Sequence, residues 1–442
     1  MLTSHQEEIF DEILLNLLNK RNCTLSGYAG TGKSYVTNMI VRKLKELGKS
    51  YIILAPTHKA LSVLKEKEAE LSSVLEDKIP FHSKFETIAS HLKMRPNFDK
   101  VGMDIENPDF IFVENTSDGK KKKKTYEFII IDECSMVSES VCRQLHKNSQ
   151  PTYLFVGDVA QLPPVNEKES KSFQTDSIFY LTEIIRTKKE DIVALCNLCR
   201  SDDYLKVKNV KTSENVIVMS KKDYQYNCEK VLAFTNKAVA KHNSAAKNKL
   251  NPSESIISAG DIIMFYQDIF TALVPRPTWL PKYDAKAFYP DVKLVSNCQE
   301  LVVLDVIDEG PVYKIKLEYD DGIFPKVLDF MMLKPQTYDE YVRKYVNYKN
   351  DWDLNKLFSL KYGCMLPEPI KKVYLDEYDD QQSIEIKKTF DLAYALTVHK
   401  SQGSTYDSVA IDLNDILSSR SDTKTLLYTA VSRAKNKVIL LV

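Results

Sequence analysis

The segment Gly27-Tyr-Ala-Gly30-Thr31-Gly32-Lys33-Ser34 combines glycines, a lysine and a hydroxyl residue at the spacing of a phosphate-binding loop. Its glycines let backbone N–H groups wrap phosphate oxygens at a helix N-terminus. Lys33 can reach the β- and γ-phosphates, and Ser34 offers a hydroxyl to magnesium. A second group, Asp132-Glu133, follows the apolar run Phe128-Ile-Ile-Ile131. Here the two carboxylates divide the work: Asp132 would hold Mg2+ through its water shell and Glu133 would polarise the attacking water. A third, Gly157-Asp158-Val-Ala-Gln161-Leu-Pro163-Pro164-Val165, follows Tyr153–Val156 and places Gln161 where it could touch a γ-phosphate and report its loss. The bland readings are a glycine turn, a surface acid pair and a proline-stiffened loop. One chain carrying all three, each after an apolar run, points instead to ATP hydrolysis with Mg2+.

Such groups need strands that deliver them and helices that cover the strands. Gln6–Leu18 has apolar residues at helical spacing (Ile9, Ile13, Leu17). Cys23-Thr-Leu25, a helix to about Leu47 and the strand Tyr51–Leu54 follow. This is the rhythm of a parallel sheet with covering helices. It resumes at Tyr126–Ile131 and Tyr153–Val156, and again at Val231–Phe234, Val409–Leu413 and Lys437–Val442. In open parallel sheets, ligands bind at the carboxyl ends of the strands, where each of the three groups lies.

Two stretches interrupt the rhythm. Phe110–Glu114, the turn-rich Asn115–Gly119, the basic run Lys120–Lys124 and Thr125-Tyr126 read as a β-hairpin with a basic arm. Asp261–Phe265, Glu300–Val306 and Val312–Leu317 read as a small barrel or sheet domain. Tyr338–Ile386, rich in tyrosine and charge, reads as a helical or irregular appendage. The expected fold class is therefore α/β, in two domains of parallel sheet and flanking helices. Residues 1–84 and 127–182 form the first domain, interrupted by a hairpin over 85–126. Residues 183–249 and 389–442 form the second, interrupted by a β-rich insertion with its appendage over 250–388.

Bulk properties bound the reading. A chain of 442 residues, 43% hydrophobic, is long enough for two to four domains. Its 61 basic residues match 61 acidic ones, so nucleic-acid affinity must come from local basic stripes. No apolar run approaches the roughly 18 residues of a membrane span, and no signal-peptide core opens the chain. The expectation is a cytoplasmic protein, in the host cell if virally encoded, with no membrane partner. Eight cysteines, scattered apart from Cys196 and Cys199, suggest reduced thiols. That lone CxxC lies in a helical stretch, Ile192–Arg200, and reads as packing in preference to zinc.

With these pieces in order, the chain resembles superfamily 1 (1B) DNA helicases, nearest the RecD-like branch that includes the phage Dda helicase. Further motifs carry the resemblance: Leu2-Thr-x-x-Gln6, Ala55-Pro-Thr57-His58-Lys59-Ala60, Leu181-Thr-Glu-Ile-Ile-Arg186, Ala233-Phe-Thr-Asn236-Lys237, Leu396-Thr-Val-His399-Lys400-Ser401-Gln402-Gly403 and Tyr428-Thr-Ala-Val-Ser-Arg433. The resemblance implies that the two α/β domains are RecA-like P-loop domains, that Gln6 reads adenine, that Gln402 faces the γ-phosphate and couples two sites, and that Arg186 and Arg433 are arginine fingers. A fixed fork of donors suits transition-state charge at the γ-phosphate. It also implies that Thr57, His58, Lys59, Thr87, Asn236, His399, Lys400 and Ser401 contact nucleic acid, holding a strand by its phosphates without reading sequence. The second insertion would be the family's SH3-like domain, and the hairpin a pin that splits duplex.

Departures qualify this. Thr87-Ile-Ala-Ser90 displaces a family histidine to His91, which receives no DNA role, and Cys298 stands where the family has glycine, so the turn there should be reshaped. The resemblance implies a monomeric motor on single-stranded and fork DNA, moving 5′ to 3′ in replication or recombination, with a single-strand-binding protein as a possible partner. The absence of a long N-terminal extension or nuclease-like segment suits a stand-alone, phage- or virus-encoded motor. Two other readings stay open: a superfamily-1 enzyme acting on RNA, and a single-strand-dependent ATPase that remodels or displaces proteins without unwinding.

Overall fold

The structure, a computed structural model, describes residues 2–74, 84–96, 110–112, 125–147, 151–164, 167, 169–184, 189–253, 255–266, 269–272, 291–295, 298–310, 312–320, 325–334, 364–365, 370–374, 383–386, 388–419 and 422–442. The chain divides into two compact units, residues 1–241 with 395–442, and residues 242–394.

The first unit holds two parallel sheets. One has six strands in the order Phe85–Thr87, Tyr51–Ala55, Phe128–Ile131, Thr152–Gly157, Cys23–Gly27 and Ser177–Leu181. Four of these strands are buried along all or nearly all of their length, as near-continuous apolar runs such as Phe128–Ile131 require when both faces are covered. The core on one face joins Ile9, Ile13 and Leu17 of helix Ser4–Leu18 to Val36, Ile40 and Leu44 of helix Lys33–Glu46, against Leu25, Ile53, Ile130 and Val156. On the other face Ile52, Leu54, Ile129, Ile131 and Phe155 pack with Cys142, Leu145 and Phe173. The helical spacing read at Ile9, Ile13 and Leu17 is thus the buried stripe.

The second sheet has five parallel strands, ordered Ala395–Thr397, Lys230–Ala233, Tyr406–Asp412, Ala434–Leu441 and Val216–Met219. These are two RecA-like α/β layers, as expected. Helices Glu190–Arg200 and Thr423–Val431 pack on one another beside this sheet. Cys196 and Cys199 lie buried on the former, and burial pushes the Cys199 thiol up to about 12. Among the described residues they belong to no metal-ligating cluster.

The second unit is β-rich. A six-stranded sheet runs Cys364–Met365, Pro325–Leu333, Val312–Asp320, Glu300–Asp308, Ile262–Phe265 and Phe390–Leu392, antiparallel except at its first pair. Ile263, Phe265, Val303, Ile315, Leu317, Phe330 and Phe390 form its core. Below it the buried Lys247 ammonium pairs with the fully buried Asp261 carboxylate. That carboxylate also accepts from Ser258 N at 2.7 Å, Tyr394 OH at 2.7 Å and Asn251 Nδ2 at 2.9 Å.

Three expectations change. The strand Phe110–Phe112 pairs with Met94–Pro96, upstream of it, and Thr125-Tyr126 is not a strand, so the hairpin's described arms differ from those read in sequence. The basic run Lys120–Lys124 lies outside the described residues. The described parts of 338–386 are strands, Ile370–Tyr374 with Ser383–Ile386 among them, where helix or irregular chain was expected. Cys298 takes φ +62°, so the turn keeps the left-handed backbone that glycine favours despite the substitution.

Candidate ATP site and nucleic-acid interface

The strand Cys23–Gly27 ends at the phosphate loop, and its neighbours in the sheet set the loop's tightness. A Cβ on Gly27 would lie 2.8 Å from both Leu181 O and Thr31 Oγ1, so only glycine fits there. Gly30 and Gly32 take φ of +84° and +86°, which orients successive loop amides before helix Lys33–Glu46 begins. Lys33 Nζ lies across the same loop, donating to Gly27 O at 2.6 Å and Tyr28 O at 2.9 Å. Gln6 tethers the loop from outside: its Nε2 donates to Thr31 O at 3.0 Å while its Oε1 accepts from Thr3 N at 3.1 Å. Both ends of this amide are therefore engaged with protein in the geometry seen here.

Asp132 and Glu133 follow the strand two places away in the sheet. Asp132 is buried, and burial with the adjacent Glu133 charge pushes its pKa up to about 6 against the opposing charges of Lys67 and Lys33. Glu133 sits in the left-handed region at φ +51°, ψ +41°, a conformation that costs about 1–2 kcal/mol for a residue with a Cβ. That outlier is strain held at a candidate catalytic position. Ser34 Oγ accepts from Lys67 Nζ at 3.1 Å. The donor set of a hydroxyl and a buried carboxylate under strain from its neighbour's charge fits a hard divalent cation. Bound there, Mg2+ would supply electrostatic stabilisation of phosphate charge, with Ser34 and Asp132 holding it.

Gly157 ends the adjacent strand, where a Cβ would meet Cys134 Sγ at 2.7 Å. Asp158 then shapes the turn, accepting from Ala160 N at 3.0 Å, and Gln161 N donates to Asp158 O at 3.1 Å. Gln161 is 4% exposed, and its Oε1 has no hydrogen-bond partner among the described residues. A buried amide with an unmet end beside the phosphate loop is what a γ-phosphate sensor would present.

Residues of the second sheet's layer reach these loops. Gln402 Nε2 donates to Leu162 O at 3.4 Å, next to Gln161. Gly403 packs beside Ala60, and its φ of +77° is the left-handed backbone that glycine favours. The Tyr428 hydroxyl, 1% exposed at residue level, donates to Asp158 Oδ2 at 2.6 Å and accepts from Ala29 N in the phosphate loop at 3.1 Å. Burial first, then the Asp158 charge, pushes the Tyr428 pKa well above the ordinary phenol range, so the hydroxyl keeps its proton. One residue earlier in the loop, the Arg200 guanidinium stacks 3.3 Å from the Tyr28 ring centroid. Arg433 is buried and held in its own layer by Thr429 O, Ser404 O and Ser432 Oγ at 3.1–3.2 Å. Arg186 lies outside the described residues.

The sequence-assigned nucleic-acid residues scatter more. Thr57 and Thr87 use their hydroxyls as helix caps, accepting from Ala60 N at 3.2 Å and Ser90 N at 3.1 Å. The side chains of His58 and Lys59 lie outside the described residues. Asn236 is exposed at the start of helix Asn236–Leu250, and Asp415 fixes the preceding turn by accepting from Phe234 N at 2.6 Å and Thr235 N at 2.8 Å. His399 is exposed beside Phe234, ring centroids 6.4 Å apart, and Lys400 is partly exposed. Ser401 is fully buried and donates to Val398 O at 2.7 Å, so its hydroxyl serves the turn.

Family models match in two places: an AAA domain over residues 11–167 and a UvrD-like helicase C-terminal domain over residues 392–441. The architecture is that of an ATP-hydrolysing, superfamily-1-like P-loop helicase. Among relatives, the uncharacterized protein R530 of Acanthamoeba polyphaga mimivirus is 26% identical, over 94% of each chain. The ATP-dependent DNA helicase dda of Enterobacteria phage T4 is 26% identical over 61% of this chain and 62% of its own length. Pif1 helicase from Bacteroides, solved with ADP-AlF3 and ssDNA, shares the fold with a TM-score of 0.51 at 18% identity, covering 100% of this chain and 92% of that one. The RecD-like branch inferred from sequence is not singled out, since a Dda relative and a Pif1 fold stand side by side.

Tyr428, Asp158, Arg200, Lys67 and Asp415 were given no role from sequence. Tyr428 and Asp158 stood inside quoted motifs, but only Arg433 and Gln161 carried recognisable chemistry. Lys67 and Asp415 carry no local signal, because their partners lie 33 and about 180 residues away.

Proposed function

We propose that the chain is an ATP-dependent DNA helicase that translocates on single-stranded DNA 5′ to 3′ and unwinds duplex in replication or recombination. The observation that carries this reading is the contact of the second sheet's Gln402 and Tyr428 with first-sheet loops that hold the phosphate-binding and γ-phosphate-sensing candidates. A cleft so built can couple nucleotide state to movement between the two layers.

In this reading Gly27, Gly30, Thr31, Gly32 and Lys33 cradle the ATP phosphates, Gln6 faces the base, and Ser34 with Asp132 holds magnesium. Glu133 activates water, Gln161 and Gln402 sense the γ-phosphate, and Arg186 and Arg433 supply charge from the second domain. Thr57, His58, Lys59, Thr87, Asn236, His399, Lys400 and Ser401 belong to the strand path, where the caps at Thr57 and Thr87 and the buried turn at Ser401 position backbone in place of their own hydroxyls. Residues 1–84 with 127–182 and 183–249 with 389–442 are the motor domains, with 85–126 the pin and 250–388 the SH3-like insertion. DNA is favoured over RNA by the resemblance to Dda and by the fold shared with a Pif1 solved on single-stranded DNA. The 5′ to 3′ direction rests on the branch resembled. Steady-state ATP turnover with single-stranded DNA or RNA tests the choice: stimulation by DNA at least about tenfold above that by RNA of equal length is expected. Equal or greater stimulation by RNA would favour an RNA enzyme.

A further inference from the structure

We infer that Tyr428 is a positioning residue that competes with nucleotide phosphate for the phosphate loop and holds the Gln161 turn until phosphate displaces it. The inference rests on the reading of residues 27–34 as the ATP site.

The geometry is a continuous relay. The Ala29 amide donates to the Tyr428 hydroxyl oxygen, the hydroxyl donates to Asp158 Oδ2, and Asp158 Oδ1 accepts from Ala160 N in the turn carrying Gln161. Ala29 lies in the loop between Gly27 and Lys33, whose amides are the groups such loops offer to phosphate oxygens, and the proposal assigns its N–H to that set. The Tyr428 oxygen therefore takes the place that a phosphate oxygen would claim. Tyr428 and Asp158 are each 1% exposed, so a partner lost by the hydroxyl or the carboxylate is not readily replaced by solvent, while Ala29 and Ala160 at the two ends are half-buried.

The relay also fixes a helix. Tyr428 lies on Thr423–Val431, five residues before Arg433, whose guanidinium is parked on Thr429 O, Ser404 O and Ser432 Oγ within its own layer. The neighbouring helix Glu190–Arg200 ends in Arg200, stacked on Tyr28, with Nη1 buried and without a hydrogen-bond partner among the described residues. Two packed helices of the second layer thus grip consecutive residues of the phosphate loop, Tyr28 and Ala29. When phosphate takes the Ala29 amide, the hydroxyl loses its donor and the grip loosens. Helix Thr423–Val431 is then free to carry Arg433 out of its parked position, and the bond to Asp158 passes the change to Gln161. Only hydrogen bonds exchange; no covalent step is involved.

Substituting Tyr428→Phe keeps the ring and its packing but removes the competing oxygen. The free state loses the Ala29 hydrogen bond that phosphate displaces in the nucleotide-bound state, whereas the bond to Asp158 is lost from both states alike, so nucleotide should bind more tightly. The test is equilibrium binding of a fluorescent mant-ADP to the full chain, with Tyr428→Phe, Asp158→Asn and Lys33→Ala measured beside the wild type. Tyr428→Phe is expected to bind about three- to tenfold tighter, and Asp158→Asn to shift the same way. A purely structural tyrosine would lower the melting temperature and weaken binding or leave it alone. Unchanged or weaker binding by a folded Tyr428→Phe, with Lys33→Ala losing binding, would overturn the relay and leave the ATP site standing. Unchanged binding in Lys33→Ala would overturn the ATP-site reading itself. If Tyr428→Phe does not fold, Asp158→Asn decides by the same criterion.

Discussion

The Lys67 ammonium donates to Ser34 Oγ at 3.1 Å, which places a protein cation on the hydroxyl that the proposed site offers to magnesium. Lys67 also opposes the rise of the Asp132 pKa, so its charge bears on both candidate metal ligands. Two cations cannot share so small a site cheaply, because at an effective dielectric near 20 unit charges 4 Å apart already interact by about 4 kcal/mol. Lys67→Met should therefore lower the Mg2+ concentration for half-maximal ATP turnover by about threefold or more, with a parallel gain in Mn2+ binding read by EPR. An unchanged or raised Mg2+ requirement would contradict this.

Asp415 binds the backbone of Phe234 and Thr235 just before the exposed Asn236, and also accepts from Thr235 Oγ1 at 2.7 Å. Asp415→Ala removes acceptors from two partly buried amides, at a cost of about 1–3 kcal/mol. It should weaken single-stranded DNA binding, measured by fluorescence anisotropy, by about threefold to tenfold while mant-ADP affinity stays within about twofold of wild type. Equal loss of both would mean that the turn serves the fold and not the strand path.

The buried pair Lys247 and Asp261 anchors the base of the β-rich unit. Lys247→Met leaves Asp261, which is 0% exposed, as a carboxylate without its cation, although Ser258, Asn251 and Tyr394 still donate to it. Such half-broken pairs typically destabilise by about 3–5 kcal/mol. Urea unfolding should show that loss in Lys247→Met and a much smaller one in the double variant Lys247→Met with Asp261→Leu. A single variant as stable as wild type would show that the pair contributes nothing.

Sequence reasoning located what repeats locally and missed what is assembled from afar. The strands ending at Gly27, Ile131 and Gly157 were readable because apolar runs and their terminal motifs are adjacent in the chain. The partner of Phe110–Phe112 was misjudged because a strand's own residues do not state which neighbour it pairs with, and Met94–Pro96 carries little β signal. A helical or irregular appendage over 338–386 was inferred from composition alone, which is silent on the pairing of Ile370–Tyr374 with Ser383–Ile386. At the site, Gly27 and Lys33 announce themselves, whereas Tyr428 acquires meaning only when folding brings it to Ala29 and Asp158, 399 and 270 residues away in sequence.

The central claim, ATP-driven strand separation, is tested most directly by a forked-duplex unwinding assay with ATP and Mg2+, using substrates with a single 5′ or single 3′ tail. The account predicts strand separation of the 5′-tailed substrate, little on the 3′-tailed one, and none with Lys33→Ala. ATP turnover stimulated by single-stranded DNA with neither substrate unwound would contradict it and leave a strand-dependent ATPase that remodels other proteins.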